Sequence, residues 1–186
     1  MSAFDKIKEA VCRAVGKAEI KFVPPLVRAS HCRRAMREAK PGMAICRKYN
    51  GHLATMLIPG EFSHSGIIES SGMVIHAVGD GVGREDILDF VKDTDGYIIL
   101  SATAPFDAEA AIQYARAQLT KDYDFKFDGT NEEALFCHEL TARSLRAGGI
   151  EIEPVPQQMG LETHQVFLAS QFVTHPRLTT VYRTEF

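Results

Sequence analysis

The sequence predicts an α+β domain in which an antiparallel sheet packs against the helix that carries a cysteine. Three observations carry this reading. Between Met43 and Ser101, short apolar runs alternate with Gly, Pro and Ser turn residues, as strands do. Two later segments, Asp107–Leu119 and Asn131–Arg146, carry apolar residues at helical spacing. A last apolar-alternating stretch, Thr179–Arg183, returns as a strand. The order is therefore strand, hairpin, strand, two helices, strand.

The elements follow in turn. Phe4, Ile7, Val11 and Val15 fall at helical spacing among Lys and Arg, which predicts an amphipathic helix over residues 3–18. After Pro24-Pro25, Leu26 to Glu38 is expected as a second helix, closed by Lys40-Pro41-Gly42. Residues 1–40 then form a basic helical extension and 41–186 the domain proper. Met43–Arg47 reads as a strand and Tyr49–Gly60 as a loop. His64–Glu69 and Met73–Val78 form a hairpin about Ser70-Ser71-Gly72. Gly79-Asp80-Gly81 breaks the chain before a short helix expected over Arg84–Lys92. Tyr97-Ile98-Ile99-Leu100 is the core of a third strand. Ala111, Ile112, Tyr114, Ala115 and Leu119 make the apolar side of the next helix. Asn131 is expected to cap the helix that runs to Arg146, with Gly148-Gly149 as its stop.

At 186 residues the chain is long enough for one domain with a full core. Its formal net charge of -3 is unevenly spread. The first 40 residues hold ten Lys/Arg against four Asp/Glu, and the rest eleven against twenty. The acidic body argues against nucleic acid as the main substrate. The basic arm is either a set of solvated helix faces or a contact for an anionic surface or partner. No run reaches the roughly 18 apolar residues of a membrane span. The first residues lack the apolar core of a secretory signal, so a cytoplasmic location is expected. Cys12, Cys32, Cys46 and Cys137 show no C-x-x-C spacing and are expected as free thiols.

The chemistry gathers around Cys137, His64 and His76. A thiol attacks as the thiolate, so a nucleophilic cysteine needs something to lower its pKa. The start of a helix and a nearby imidazole would both do so, which makes His64 the natural base. That imidazole needs its second nitrogen held. His76 is placed to hold it: if the hairpin pairs 76 with 66, then His64 and His76 share a face, with Gly66 leaving room between them. Taken singly, Cys137 also reads as a core thiol and His76 as a structural histidine. Two histidines and a cysteine could also ligate zinc, but no fourth ligand is evident and no metal or other cofactor is assigned.

Several stretches, in order, resemble the YiiX-like proteins, circularly permuted members of the NlpC-type papain-like superfamily. They are Lys40-Pro41-Gly42-Met43-Ala44-Ile45, Pro59-Gly60-Glu61-Phe62-Ser63-His64-Ser65-Gly66-Ile67, His76-Ala77-Val78-Gly79-Asp80-Gly81-Val82, Tyr123-Asp124-Phe125-Lys126-Phe127-Asp128 and Phe136-Cys137-His138-Glu139-Leu140. The resemblance covers about residues 40–184. It implies a permuted papain-like fold, with the histidine strand before the cysteine helix. It further implies Cys137 as nucleophile, His64 as general base and His76 at the third triad position. Tyr123 and Glu139 fall at positions expected to help bind substrate.

The third position is often glutamate in YiiX-like sequences. A histidine twelve residues after the base resembles instead the lecithin:retinol acyltransferase-like branch. His138 stands where the family pattern has serine. About 100° around the helix from Cys137, it is expected beside the site or at the surface rather than as the base. The expected activity is a cysteine hydrolase that cleaves an amide or ester through a thioacyl-enzyme. The alternatives are lipid acyl transfer or phospholipase-like or thioesterase activity, and a catalytically inert binding module. The expected partner is a small-molecule, peptide or lipid-like substrate.

Overall fold

The computed structural model describes residues 24–49, 58–70, 72–130, 133–159 and 162–186. The helix expected over 3–18, most of the loop expected over Tyr49–Gly60, Ser71 and the cap residue Asn131 lie outside these. The elements are α1 (Ala29–Glu38), β1 (Ala44–Lys48), β2 (His64–Ser70), β3 (Met73–Val78), β4 (Gly81–Asp86), α2 (Ile87–Val91) and β5 (Gly96–Ala102). They continue as α3 (Ala108–Ala117), α4 (Cys137–Ala147), β6 (Val155–Met159), β7 (Glu162–Val166), α5 (Ala169–Thr174) and β8 (Leu178–Arg183).

Six strands form one sheet in the order β4-β3-β2-β1-β5-β8, every pairing antiparallel. Helices cover both faces, so the central strands are buried on both sides. Alternation along β1 to β5 then sorts the side chains into two cores. Ala44, Cys46, Ile67, Ile75, Ile98 and Leu100 pack toward α3 and α4, with Ile112, Leu140 and Leu145. Ile45, Ile68, Val74, Tyr97 and Ile99 pack the other way, with Ala35 of α1 and Ile87, Phe90 and Val91 of α2. Arg143 and Phe167 meet on the outer side of α4, the guanidinium carbon 5.9 Å from the ring centre. No helix among the described residues is long and apolar enough to cross a membrane.

Several boundaries differ from expectation. The helix expected over Arg84–Lys92 starts three residues late: Arg84, Glu85 and Asp86 are strand and pair with Ile75, Val74 and Met73. Only Ile87–Val91 turns helical, after Asp86 accepts the Leu88 N–H at 2.8 Å. Edge pairing with β3 outweighed the helical spacing of this short stretch. The helix expected from Asn131 begins instead at Cys137, with Phe136 in the extended cap position. The preceding residues are drawn off by a bridge between Tyr123 and Leu135. The hairpin β6–β7 and the short α5 have no counterpart in the sequence reading: the hairpin is largely polar, and α5, which buries Ala169 and Phe172, is too short to show a helical period.

Candidate active site

The hairpin register is the one that brings the two histidines together. Gly66 pairs with His76, and a bulge between Ile68 and Ser70 absorbs the extra residue before the turn. His64 Nε2 and His76 Nδ1 lie 2.8 Å apart. A methyl on Gly66 would sit 3.1 Å from His76 Cβ and 2.8 Å from the Ile75 carbonyl oxygen, so this position has no room for a side chain. The Phe90 ring packs against both imidazoles, with centroids 5.6 and 5.4 Å away.

Behind the pair stand two residues that the sequence reading did not single out. Arg47, directly across from His64 in the β1–β2 register, stacks on Phe90 at 4.1 Å. It donates to the Phe90 carbonyl at 2.7 Å and to Glu85 at 3.2 Å. Glu85 Oε2 lies 3.5 Å from His76 Nε2. Glu85 went unseen because its segment was read as helix. For Arg47 a signal existed: a charge directly after the apolar run Ala44-Ile45-Cys46, still within the segment read as strand. A carboxylate facing His76 Nε2 favours the proton on that nitrogen. His76 Nδ1 is then an acceptor, His64 Nε2 must donate to it, and His64 Nδ1 keeps its lone pair. Burial pushes His64 well below the ordinary imidazole pKa, and the charges of Arg47, His76 and His138 add to this. Burial, then Arg47, lowers His76 to about 3, so both rings are neutral at pH 7.

Cys137 is the first residue of α4 and is buried. Phe136 offers no side-chain cap, which leaves the first-turn N–H groups facing the site. The Ile68 N–H bonds the Met43 carbonyl of the β1 segment, so the amides of Ser65 and Ile67 point toward β3. The β2–β3 pairing reaches only to Gly66–His76. One residue further, the Ser65 N–H turns to the Cys137 sulfur, joined by those of His138 and Cys137 itself. The sulfur thus reaches the sheet where β2 and β3 part, beside the backbone of His64.

Two expectations need correcting here. Strand alternation places His64 and His76 on the face toward Phe90, whereas Cys46 and Ser65 face α4. Among the described residues the sulfur and the His64 ring therefore share no hydrogen bond. The thiol pKa is also not lowered: burial pushes it up to about 11, against the pull of the surrounding N–H groups and Arg47. Desolvation in a dry site outweighs the helix start.

Beside Cys137 opens a small recess, with free room for about one water, whose apolar lining includes Phe127, Phe136, Val166 and Phe167. His138 lines it too and is buried, not at the surface. Tyr123 stands behind this wall, its ring 6.1 Å from that of Phe127. Glu139 is fully buried, and its Oε1 accepts from Arg143 Nε at 2.9 Å. Arg143 also holds the Gly129 carbonyl at 2.9 Å, which ties the loop before the cysteine to α4. Burial pushes Glu139 up to about 7 despite Arg143. Neither Tyr123 nor Glu139 lines the recess.

Comparison with known proteins agrees with this architecture. A crystal structure described as metalloprotein yiiX from Escherichia coli O157:H7 superimposes with a TM-score of 0.65 at 17% identity, covering 79% of this chain and 98% of that one. At that identity the likeness shows the fold. No curated protein matches the chain. The family model of the permuted papain-like amidase enzymes, YaeF/YiiX, matches residues 38–182, and the chain belongs to that C92 family.

Proposed function

We propose that the protein is a cysteine hydrolase that cleaves an amide through a thioacyl-enzyme on Cys137. The observation that carries the reading is the 2.8 Å His64–His76 pair, whose tautomers leave His64 Nδ1 as a base beside the strand backbone that receives the Cys137 sulfur. The thiol and both imidazoles start neutral, so no resting ion pair is involved. As the sulfur attacks the substrate carbonyl, its proton passes to His64 Nδ1 through a bridging water, because the sulfur and that ring share no direct hydrogen bond. N–H groups at the start of α4 hold the oxyanion. His64 then protonates the leaving amine, and the C–N bond breaks to give the thioester. Water, deprotonated by the same nitrogen, cleaves the thioester to the acid and restores the thiol. His76 holds the His64 ring and is a positioning residue.

No group of three or more His, Cys, Asp or Glu among the described residues forms a metal donor set, so these residues do not fit a metal centre and no step passes through one. The apolar recess favours an uncharged substrate and supports lipid acyl transfer as a second reading. Mass spectrometry after mixing with p-nitrophenyl hexanoate tests the proposal. The expected adduct is one hexanoyl group on Cys137, formed at least 100-fold more slowly in His64→Ala. Acylation elsewhere, or at an unchanged rate in that variant, would sink the assignment. Release of the acyl group to added alcohols in preference to water would favour transfer.

A further inference from the structure

With free room for about one water, the recess lets a larger group reach the Cys137 sulfur only when part of its wall moves. The wall residues are not held equally. Phe136, Val166 and Phe167 are buried in the core. Gln157 is paired with His164 across the β6–β7 hairpin, and the Leu168 N–H is held by Gln171 Oε1 at 2.8 Å. Phe127 is half-buried, so its ring lines the recess and also reaches the surface. That ring packs 5.5 Å from the Phe136 ring and 6.1 Å from that of Tyr123.

The chain is anchored on either side of Phe127 but not at it. The Asp124 carboxylate accepts the Lys126 N–H at 2.8 Å and the Asp128 N–H at 2.6 Å. The Gly129 N–H bonds the Gln165 carbonyl at 2.8 Å, and the Gly129 carbonyl accepts from Arg143 at 2.9 Å. Between these anchors Phe127 has a φ of 54°, a left-handed backbone that a bulky L side chain rarely adopts. Among the described residues its own N–H and C=O make no hydrogen bond. A strained residue of this kind stays put only while its surroundings enforce it, and here the enforcing contacts are those of the ring with Phe136 and Tyr123. Turning φ and ψ at Phe127 relaxes the backbone, breaks none of the four anchoring bonds and carries the ring out of the recess.

We infer that Phe127 is the gate of the recess, and that its ring determines the size of group that reaches the Cys137 sulfur. Closed, it keeps the thiol dry; swung out, it admits a substrate larger than water. This goes beyond the thiol-hydrolase reading, because it concerns access to the thiol and needs no turnover.

The test compares two reagents on Cys137 of the full-length protein, with loss of free thiol followed by mass spectrometry. Hydrogen peroxide is little larger than the water the recess holds, whereas N-benzylmaleimide needs the gate open. Both react with the thiolate, so the ratio of their rates cancels any change in thiol pKa. An open form populated at roughly 0.1–10% slows a reagent that needs it by about 10- to 1000-fold. Phe127→Ala is therefore expected to raise the maleimide-to-peroxide ratio at Cys137 by at least about 10-fold. An unchanged ratio overturns the inference. So does maleimide labelling of the buried Cys46 that rises in parallel, since the whole core has then loosened. Complete failure of the maleimide to reach Cys137 in the unmodified protein would also overturn it, because the ring then never swings out. Should Phe127→Ala fail to fold, Phe127→Leu decides: a smaller rise in the ratio is expected, and no rise overturns the inference. Failure of the hexanoyl adduct to form on Cys137 would remove the hydrolase reading while leaving these labelling results standing.

Discussion

Gly66→Ala probes the strand spacing on which the histidine pair depends. The added methyl would lie 2.6 Å from Val74 Cγ1, 2.8 Å from the Ile75 carbonyl oxygen and 3.1 Å from His76 Cβ. Val74 can rotate, but the Ile75 carbonyl is backbone. To reach the 3.4 Å at which ordinary contact begins, β3 must retreat by about 0.6 Å. His76 rides on β3, so its 2.8 Å link to His64 stretches past the roughly 3.2 Å limit of a good hydrogen bond. Overpacking of this kind costs about 1–3 kcal/mol. At roughly 2–4 °C per kcal/mol for a chain of this size, Tm should fall by about 2–12 °C. A 1 Å misplacement in a catalytic array costs about 100-fold, so acylation of Cys137 should slow by roughly 10- to 100-fold. Calorimetry and single-turnover mass spectrometry read the two effects. The same change made in a His76→Ala background should slow acylation little further, because the link is already gone. Unchanged Tm and rate, or equal slowing in both backgrounds, would refute the reasoning.

Two further outcomes follow from the buried titrating groups. With the Cys137 thiol pushed up to about 11, its alkylation by iodoacetamide should be slow at pH 7 and rise about tenfold per pH unit up to pH 10. A rate that plateaus below pH 7 would instead reveal a resting thiolate–imidazolium pair. Glu139, at about 7 in the fold against an ordinary 4.5, stabilises the fold fully below pH 4.5 and loses that contribution as pH rises through 7. Relative to Glu139→Gln, the unmodified protein should lose about 3 kcal/mol between pH 4 and pH 8, measured by urea denaturation. Parallel stability curves for the two proteins would contradict this.

Much of the frame could be read without coordinates, and for local reasons. The His64–Glu69 and Met73–Val78 runs, with a glycine-containing turn between them, specify a hairpin, and side-chain parity then makes His64 and His76 neighbours. Tyr97-Ile98-Ile99-Leu100 announces a central strand because a strand covered on both faces has no polar side. Asp107 and Gly148 bound their helices by capping chemistry that lies within a few residues. Where the sequence misleads, a distant partner competes with a local preference. Arg84–Asp86 has helical spacing, yet becomes strand because β3 offers an open edge. The start of α4 shifts to Cys137 because Leu135 is bridged to Tyr123.

The electrostatics of the site belong to the tertiary structure. A cysteine at a helix start promises a lowered pKa, but the promise holds only if the charge is solvated or paired. Here the sulfur is buried, and desolvation reverses the sign. Arg47 and Glu85 come from different strands and converge behind the histidines, which no spacing along the chain could reveal. His138 shows the same dependence. Its Nδ1 meets the Ser65 hydroxyl, and that hydroxyl meets Thr141, because the fold brings both to one side of the ring. The order of histidine strand and cysteine helix was written in the sequence, whereas the protonation of every group in the site was set by what the fold buried around it.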